Sequence, residues 1–220
     1  MAKTKIAISL EEGVLRQVDS KVDGSIIRSR SQAIEYYLSK GLREGSVTTA
    51  VLLLKGEYQH LAIKEIKGMP LIKKQIGFFA KHGIKSLFLV TQHGREMNQL
   101  MNAVEDSPLT VKIIEQKTKG NAEALLALRG ILRENFIAMS GDTFNDFDLQ
   151  RMVKKHLAGD KLATMGLMTA DKPSAYGNAI LDGDLIVDFQ EKPKSISSPV
   201  VNAGIYLFKH VSDRVEKGNV

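Results

Sequence analysis

The chain has 220 residues, 43% hydrophobic and 25% charged, which suits one α/β domain with a small extra module. It contains no cysteine, so disulfides and thiolate metal sites are excluded. The net charge of +6 is compatible with nucleic acid without demonstrating it.

No apolar run reaches membrane-spanning length, and Lys3 and Lys5 open the chain without the apolar core of a signal peptide. A prokaryotic, cytoplasmic protein with no membrane partner is therefore expected. Lys3 to Leu10 alternates strictly, with Ile6, Ile8 and Leu10 on one face and Lys5, Ala7 and Ser9 on the other, as in a strand. A lone strand leaves its amides and carbonyls unpaired, and no second strand follows nearby. From Glu11-Glu12 a helix is expected through Val14, Leu15, Val18 and Val22, stopped by Asp23-Gly24. Ser29-Arg30-Ser31-Gln32 has the form of a capping box and opens a second helix through Ala33, Ile34, Tyr37, Leu38 and Leu42. The missing strand partner is most economically a second copy of the chain, so at least a homodimer is expected. Gly41–Thr48 reads as a short linker.

The alternating strand ending in Ser9-Leu10-Glu11-Glu12, with Ser29-Arg30-Ser31-Gln32-Ala33-Ile34, resembles the ribbon-helix-helix family over residues 3–42. The resemblance implies an intermolecular β-ribbon lying in the major groove of double-stranded DNA. Lys3, Lys5, Ala7 and Ser9 would then face the DNA, with Arg28, Ser29, Arg30 and Ser31 at a phosphate on the amino end of the second helix. Free amides and a positive dipole end favour a phosphate there. Ala7 stands where a polar reader is commoner, although alanine can meet a thymine methyl. A dimerisation arm with no role on DNA is the alternative.

Beyond Thr48 the pattern changes. Ala50–Leu54, Ser86–Thr91, Thr110–Ile114 and Phe136–Ser140 read as strands, alternating with helices over Pro70–His82, Glu96–Val104 and Gly120–Arg133. That alternation implies a doubly wound α/β sheet, with ligands beyond the carboxyl ends of the strands. A hairpin follows, Asn178–Asp182 to Leu185–Phe189 across Gly183. His82, His93 and His156 have no metal-ligand spacing and are expected on the surface.

Five segments resemble the sugar nucleotidyltransferases: Ala50–Leu54 with Gly68-Met69-Pro70-Leu71-Ile72; Gly120-Asn121-Ala122-Glu123-Ala124-Leu125; Ser140-Gly141-Asp142; Glu191-Lys192-Pro193; and Asn202-Ala203-Gly204-Ile205-Tyr206. The resemblance implies a Rossmann-like fold with a mixed sheet. It gives Asp142 a magnesium-binding role, although the residue reads as well as a turn or cap group. It also gives Gly177, Glu191, Lys192, Asn202 and Gly204 to a sugar phosphate or nucleotide sugar, against a reading as strand-end and turn residues. Three departures stand out. Lys55-Gly56-Glu57-Tyr58-Gln59-His60-Leu61 replaces the family's glycine-rich phosphate loop with its arginine. Leu61 stands where the family has a catalytic lysine, with Lys64 out of register. Glu123 replaces a glycine beside the base.

Two domains are expected, residues 1–44 for DNA binding and dimerisation and residues 48–220 resembling a nucleotidyltransferase. The second is expected to lack the catalytic loop and a C-terminal portion. From these readings the chain is expected to be a DNA-binding transcriptional regulator whose second domain is a pseudoenzyme. It would sense a sugar phosphate or nucleotide sugar or mediate oligomerisation, with no cofactor unless magnesium. The alternative is an active sugar-1-phosphate nucleotidyltransferase with a dimerising or autoregulatory N-terminal arm. A third is an architectural protein that senses nothing.

Overall fold

The computed structural model describes residues 4–25, 27–44, 47–117, 120–159, 161–195 and 198–210. Lys3, one of the expected DNA contacts, lies outside them. The chain divides into two compact units, Met1–Gly45 and Ser46–Val220.

In the first unit, helices α1 (Glu12–Asp19) and α2 (Arg30–Glu44) are separated by residues 20–29, within which the chain turns at Gly24. Gly24 sits at φ +72°, and the Asp23 carboxylate accepts hydrogen bonds from the amides of Ser25 at 2.8 Å and Ile27 at 3.0 Å. The cap on α2 forms as its residues require: the Gln32 amide donates to Ser29 Oγ at 3.2 Å. The Gln32 side chain reaches back one residue further than expected, accepting from the Arg28 amide at 2.9 Å. Arg30 makes a paired contact with Asp19, Nε to Oδ1 at 2.6 Å and Nη2 to Oδ2 at 2.7 Å, which ties α2 to the end of α1.

Residues 4–11 form neither strand nor helix; the strand expected there was one paired with a second copy, which a single chain does not supply. The expected linker is partly helical, since α2 runs through Gly41 to Glu44.

The second unit opens with β1 (Thr49–Leu54), buried at every position. A 3₁₀ turn over Gly56–Tyr58 leads to α3 (Gln59–Ile63) and a small hairpin of β2 (Glu65–Ile66) and β3 (Met69–Pro70). Lys67 and Gly68, at φ +51° and +75°, turn it in the left-handed region that two-residue hairpins favour. Then come α4 (Leu71–Lys81), β4 (Ser86–Thr91), α5 (Met97–Glu105), β5 (Thr110–Glu115), α6 (Asn121–Leu126), β6 (Phe136–Ser140), α7 (Leu149–Gly159), β7 (Ala163–Thr169), β8 (Gly177–Asp182), β9 (Leu185–Glu191) and β10 (Val200–Phe208).

Eight strands make one mixed sheet in the order β5-β4-β1-β6-β10-β8-β9, with β7 also paired to β10. Pairs β4–β5, β1–β4 and β1–β6 are parallel, whereas β10 runs antiparallel to β6, β7 and β8. Side chains of β1 alternate between two cores. Ala50, Leu52 and Leu54 meet Ile72, Ile76 and Phe79 of α4, with Leu100 of α5 and Leu149 of α7. Val51 and Leu53 meet Ala124 and Leu128 on the opposite face. Helices on both faces explain why the inner strands are continuously apolar.

The helix expected over Gly120–Arg133 is much shorter. Past Leu126 the bonding tightens to three-residue spacing, as in Leu128 N to Leu125 O at 3.0 Å, and Gly130 at φ +80° ends it. Among the expected surface histidines, His93 is exposed and His82 is half-buried against the Phe78 ring, whereas His156 is only 3% exposed.

Candidate active site

The β1–β4–β6 layer delivers its carboxyl ends to one edge of the sheet, and β1 is where the parallel strand order reverses. Such an edge is where open α/β sheets take ligands. A cavity of about 270 Å³ opens there, lined by Leu53 and Leu54 of β1 with Lys55 and Glu57 after it, by Val90 and Thr91 of β4 with Gln92 after it, and by Gly120, Asn121 and Ala124 around the start of α6. Its lining joins the apolar Leu53, Leu54, Val90 and Ala124 with an ammonium, a carboxylate and two amides.

Close packing of backbone shapes this edge. A Cβ on Gly56 would stand 3.1 Å from both Gln92 Cβ and His93 O, so glycine lets the 3₁₀ turn press on the end of β4. Gln59 is fully buried and braces the same wall, its Nε2 donating to Thr91 Oγ1 at 3.1 Å and Gln92 O at 2.8 Å. The turn therefore fills the space after β1 with a short, braced segment. Lys55 is the cation that it leaves at the cavity.

Asp142 follows β6 in an exposed turn. Gly141 N donates to Leu53 O at 2.8 Å, and a Cβ on Gly141 would meet Leu54 Cβ at 2.9 Å, so this turn lies hard against the end of β1. Leu53 pairs with Ser140, the last pair of the β1–β6 register, so Lys55 and Asp142 each lie two residues beyond it. Among the described residues, no three acidic or histidine side chains gather as a metal-binding group. Asp142 does not make a magnesium site by itself. A magnesium ion commonly takes one or two carboxylates together with substrate phosphate oxygens.

The five residues expected at a sugar phosphate form a continuous strip. Gly177 pairs with Glu191 across β8 and β9, and a Cβ on Gly177 would stand 2.9 Å from Glu191 Oε2. Lys192, at φ +44°, donates its amide to Tyr176 O at 3.2 Å. Val201 pairs with Asn178, the sequence neighbours of Asn202 and Gly177. Asn202 Oδ1 accepts from Gly204 N at 2.8 Å, and its amide donates to the Tyr206 hydroxyl. Gly204, at φ +71°, lies where a Cβ would be 3.2 Å from Ser140 Oγ, two residues from Asp142. The pairing of β10 with β7 slips between Asn202 and Tyr206, which bends the strand at this point. None of the five lines the cavity beside β1 and β4.

The expected DNA contacts are arranged differently. Lys5, Ala7 and Ser9 are exposed on irregular backbone. Ser29 caps α2, Ser31 is exposed, and Arg28 Nε donates to Ser25 O at 3.2 Å. Arg30 is engaged with Asp19, whose carboxyl is held below its ordinary value by that hydrogen bond above all. Two residues that the sequence reading passed over are Gln59 and Gln75, both fully buried. A polar side chain at an inward helix position hints at their burial, but nothing in the sequence marks their partners.

A family model for nucleotidyl transferases matches residues 57–215. The chain is 28% identical over 189 residues to the mannose-1-phosphate guanylyltransferase catalytic subunit beta of Drosophila pseudoobscura pseudoobscura, covering 78% of this chain and 51% of that protein. It is 28% identical over 152 residues to the protein of the same name from Danio rerio, covering 66% and 42%. The inositol-1-phosphate CTP transferase structure from T. maritima superposes with a TM-score of 0.61 at 16% identity, covering 76% of this chain and 72% of that one, which speaks for the fold. The chain spans about half the length of the curated relatives it matches. Relatives named as transferases overturn two expectations: the DNA-binding regulator with its ribbon-helix-helix reader, and the pseudoenzyme second domain.

Proposed function

Because this chain belongs to the nucleotidyl transferase family, we propose that its second unit transfers a nucleotidyl group from a nucleoside triphosphate to a sugar 1-phosphate. An oxygen of the sugar phosphate attacks the α-phosphorus, the bond from that phosphorus to the bridging oxygen breaks, and pyrophosphate leaves. The observation that carries this reading is the cavity at the carboxyl ends of β1 and β4, lined by Leu53, Leu54, Val90 and Ala124 together with Lys55.

A nucleoside would use the apolar part of the lining, with Gln92 and Asn121 beside the ring. Lys55 would meet the phosphates and stabilise charge that grows as pyrophosphate departs. Glu57 disfavours phosphate on its own side, so the phosphates would run toward Lys55 and the Asp142 turn. The strip of Gly177, Glu191, Lys192, Asn202 and Gly204 would take the sugar phosphate, with Glu191 accepting from hydroxyls and Lys192 meeting the phosphate. The first unit, residues 1–44, would serve as a dimerising arm, pairing with a second copy through the exposed Ile6, Ile8 and Leu10.

Pyrophosphate release tests the reading directly. GTP with mannose 1-phosphate is the first pair to try, given the names of the relatives. Release should require both substrates and fall by about a hundredfold in Lys55→Ala, as when one charge-stabilising group is removed. No release from any of the four common triphosphates with mannose or glucose 1-phosphate would overturn it.

A further inference from the structure

We infer that Gln75 is a positioning residue for Asp142, an inference that rests on the transfer reading for its catalytic consequence. Gln75 lies on the inner face of α4 beside Leu71, Ile72, Ile76 and Phe79, and is fully buried. A hydrophobic side chain would fill that position at no polar cost, whereas a buried amide must be matched with partners. Its Nε2 donates to Ser140 O at 3.2 Å and to Thr143 O at 2.5 Å. Those carbonyls flank Gly141-Asp142 on either side. The amide orientation follows from chemistry, since the opposite flip would set Oε1 against two carbonyl oxygens. Oε1 is left buried without a hydrogen-bond partner, so the fold tolerates one unsatisfied acceptor to keep both donors in place.

Asn145 completes the arrangement from the other side. It is 8% exposed, and its Nδ2 donates to Ala203 O at 3.0 Å, between Asn202 and Gly204. One buried amide thus fixes the loop after β6 to α4, and the other fixes it to the bend in β10. Asp142 itself is exposed, so its direction is set by the backbone of this turn and by nothing packed over it. The two amides hold the spacing between Asp142 and the sugar-phosphate strip.

Gln75→Met keeps the shape and removes both donors. Amide hydrogen exchange over residues 141–144 should accelerate at least tenfold relative to wild type, with β1 and β4 unchanged. Turnover should fall at least tenfold while KM for the sugar 1-phosphate stays within twofold. Gln75→Glu supplies a second variant with its own signature. Its buried carboxyl donates one hydrogen bond when protonated and repels both carbonyls when ionised, so turnover relative to wild type should recover as pH is lowered. Unchanged exchange over 141–144 in both variants overturns the inference, as does a uniform loss of protection across the sheet, which marks a merely structural core residue. If wild-type protein releases no pyrophosphate, the transfer reading fails by itself, and the exchange measurement still decides what Gln75 does to the turn.

Discussion

Single residues at this edge act mainly by what they leave out. Gly177 is the clearest case: an added Cβ would lie 2.2 Å from Phe189 Cζ and 2.9 Å from Glu191 Oε2. Phe189 is 38% exposed and its ring can swing aside, but Glu191 would then be displaced from the strip that it shares with Asn202. Gly177→Ala is expected to cost about 1–3 kcal/mol in urea unfolding, the usual range for overpacking. It should also raise KM for the sugar 1-phosphate several-fold while leaving KM for the nucleotide near wild type. Equal effects on both constants would remove Gly177 and Glu191 from the sugar side. The sequence singled out Glu191 through the Glu191-Lys192-Pro193 segment and Gly177 through the same family resemblance. It could not mark Gln75, whose partners lie 65 and 68 residues along the chain and are backbone carbonyls, which carry no sequence signature.

At the scale of elements, legibility followed locality. The cap at Ser29 and Gln32 was readable because both partners sit within one turn of helix. The buried strands β1, β4 and β6 were readable as apolar runs, since helices cover both sheet faces. The end of α6 was misread because Leu125, Leu128 and Leu132 keep a helical rhythm through Gly130, where the backbone leaves the helix. The pairing of Arg30 with Asp19, eleven residues apart across a turn, looked like a free cation in one dimension. Helix α7 and strand β7 were passed over, and with them the burial of His156, whose Nδ1 lies 2.8 Å from Thr164 Oγ1. Burial chiefly, and the charge of Lys209 next, hold this imidazole below its ordinary value. The folded state therefore resists protonation that the unfolded chain accepts near pH 6.5. Above that pH both states are neutral and the group does not affect stability. As pH falls below it, the unfolded state binds the proton first and stability drops. Urea midpoints of wild type and His156→Gln, compared at pH 7.5 and 5.5, should show the larger fall in wild type. Identical falls would mean that His156 titrates as it does in the unfolded chain.

For the whole molecule, the decisive contrast is between a large unit with two cores and a small one with hardly any. Within Met1–Gly45, Ile27 and Ala33 are the buried hydrophobics among the described residues, while Ile6 is 74% exposed, Ile8 50%, Leu38 53% and Tyr36 51%. Units of roughly 40 residues seldom bury enough surface to fold alone, and oligomerisation is a common remedy. The strand-like alternation of Ile6, Ile8 and Leu10 offers the missing surface if a second copy supplies a pairing strand. Two thermal transitions are therefore expected. The transition of α1 and α2 should rise in temperature with protein concentration, because association stabilises by mass action. The transition of the nucleotidyl transferase unit should not move. Ile8→Pro removes one ribbon amide and restricts the preceding residue. It should lower the first transition, abolish its concentration dependence and turn a dimer into a monomer in sedimentation, while pyrophosphate release per chain stays the same. A first transition that ignores concentration, or a dimer that survives Ile8→Pro, would mean that the exposed apolar residues of this arm are covered by something other than a second copy of the strand.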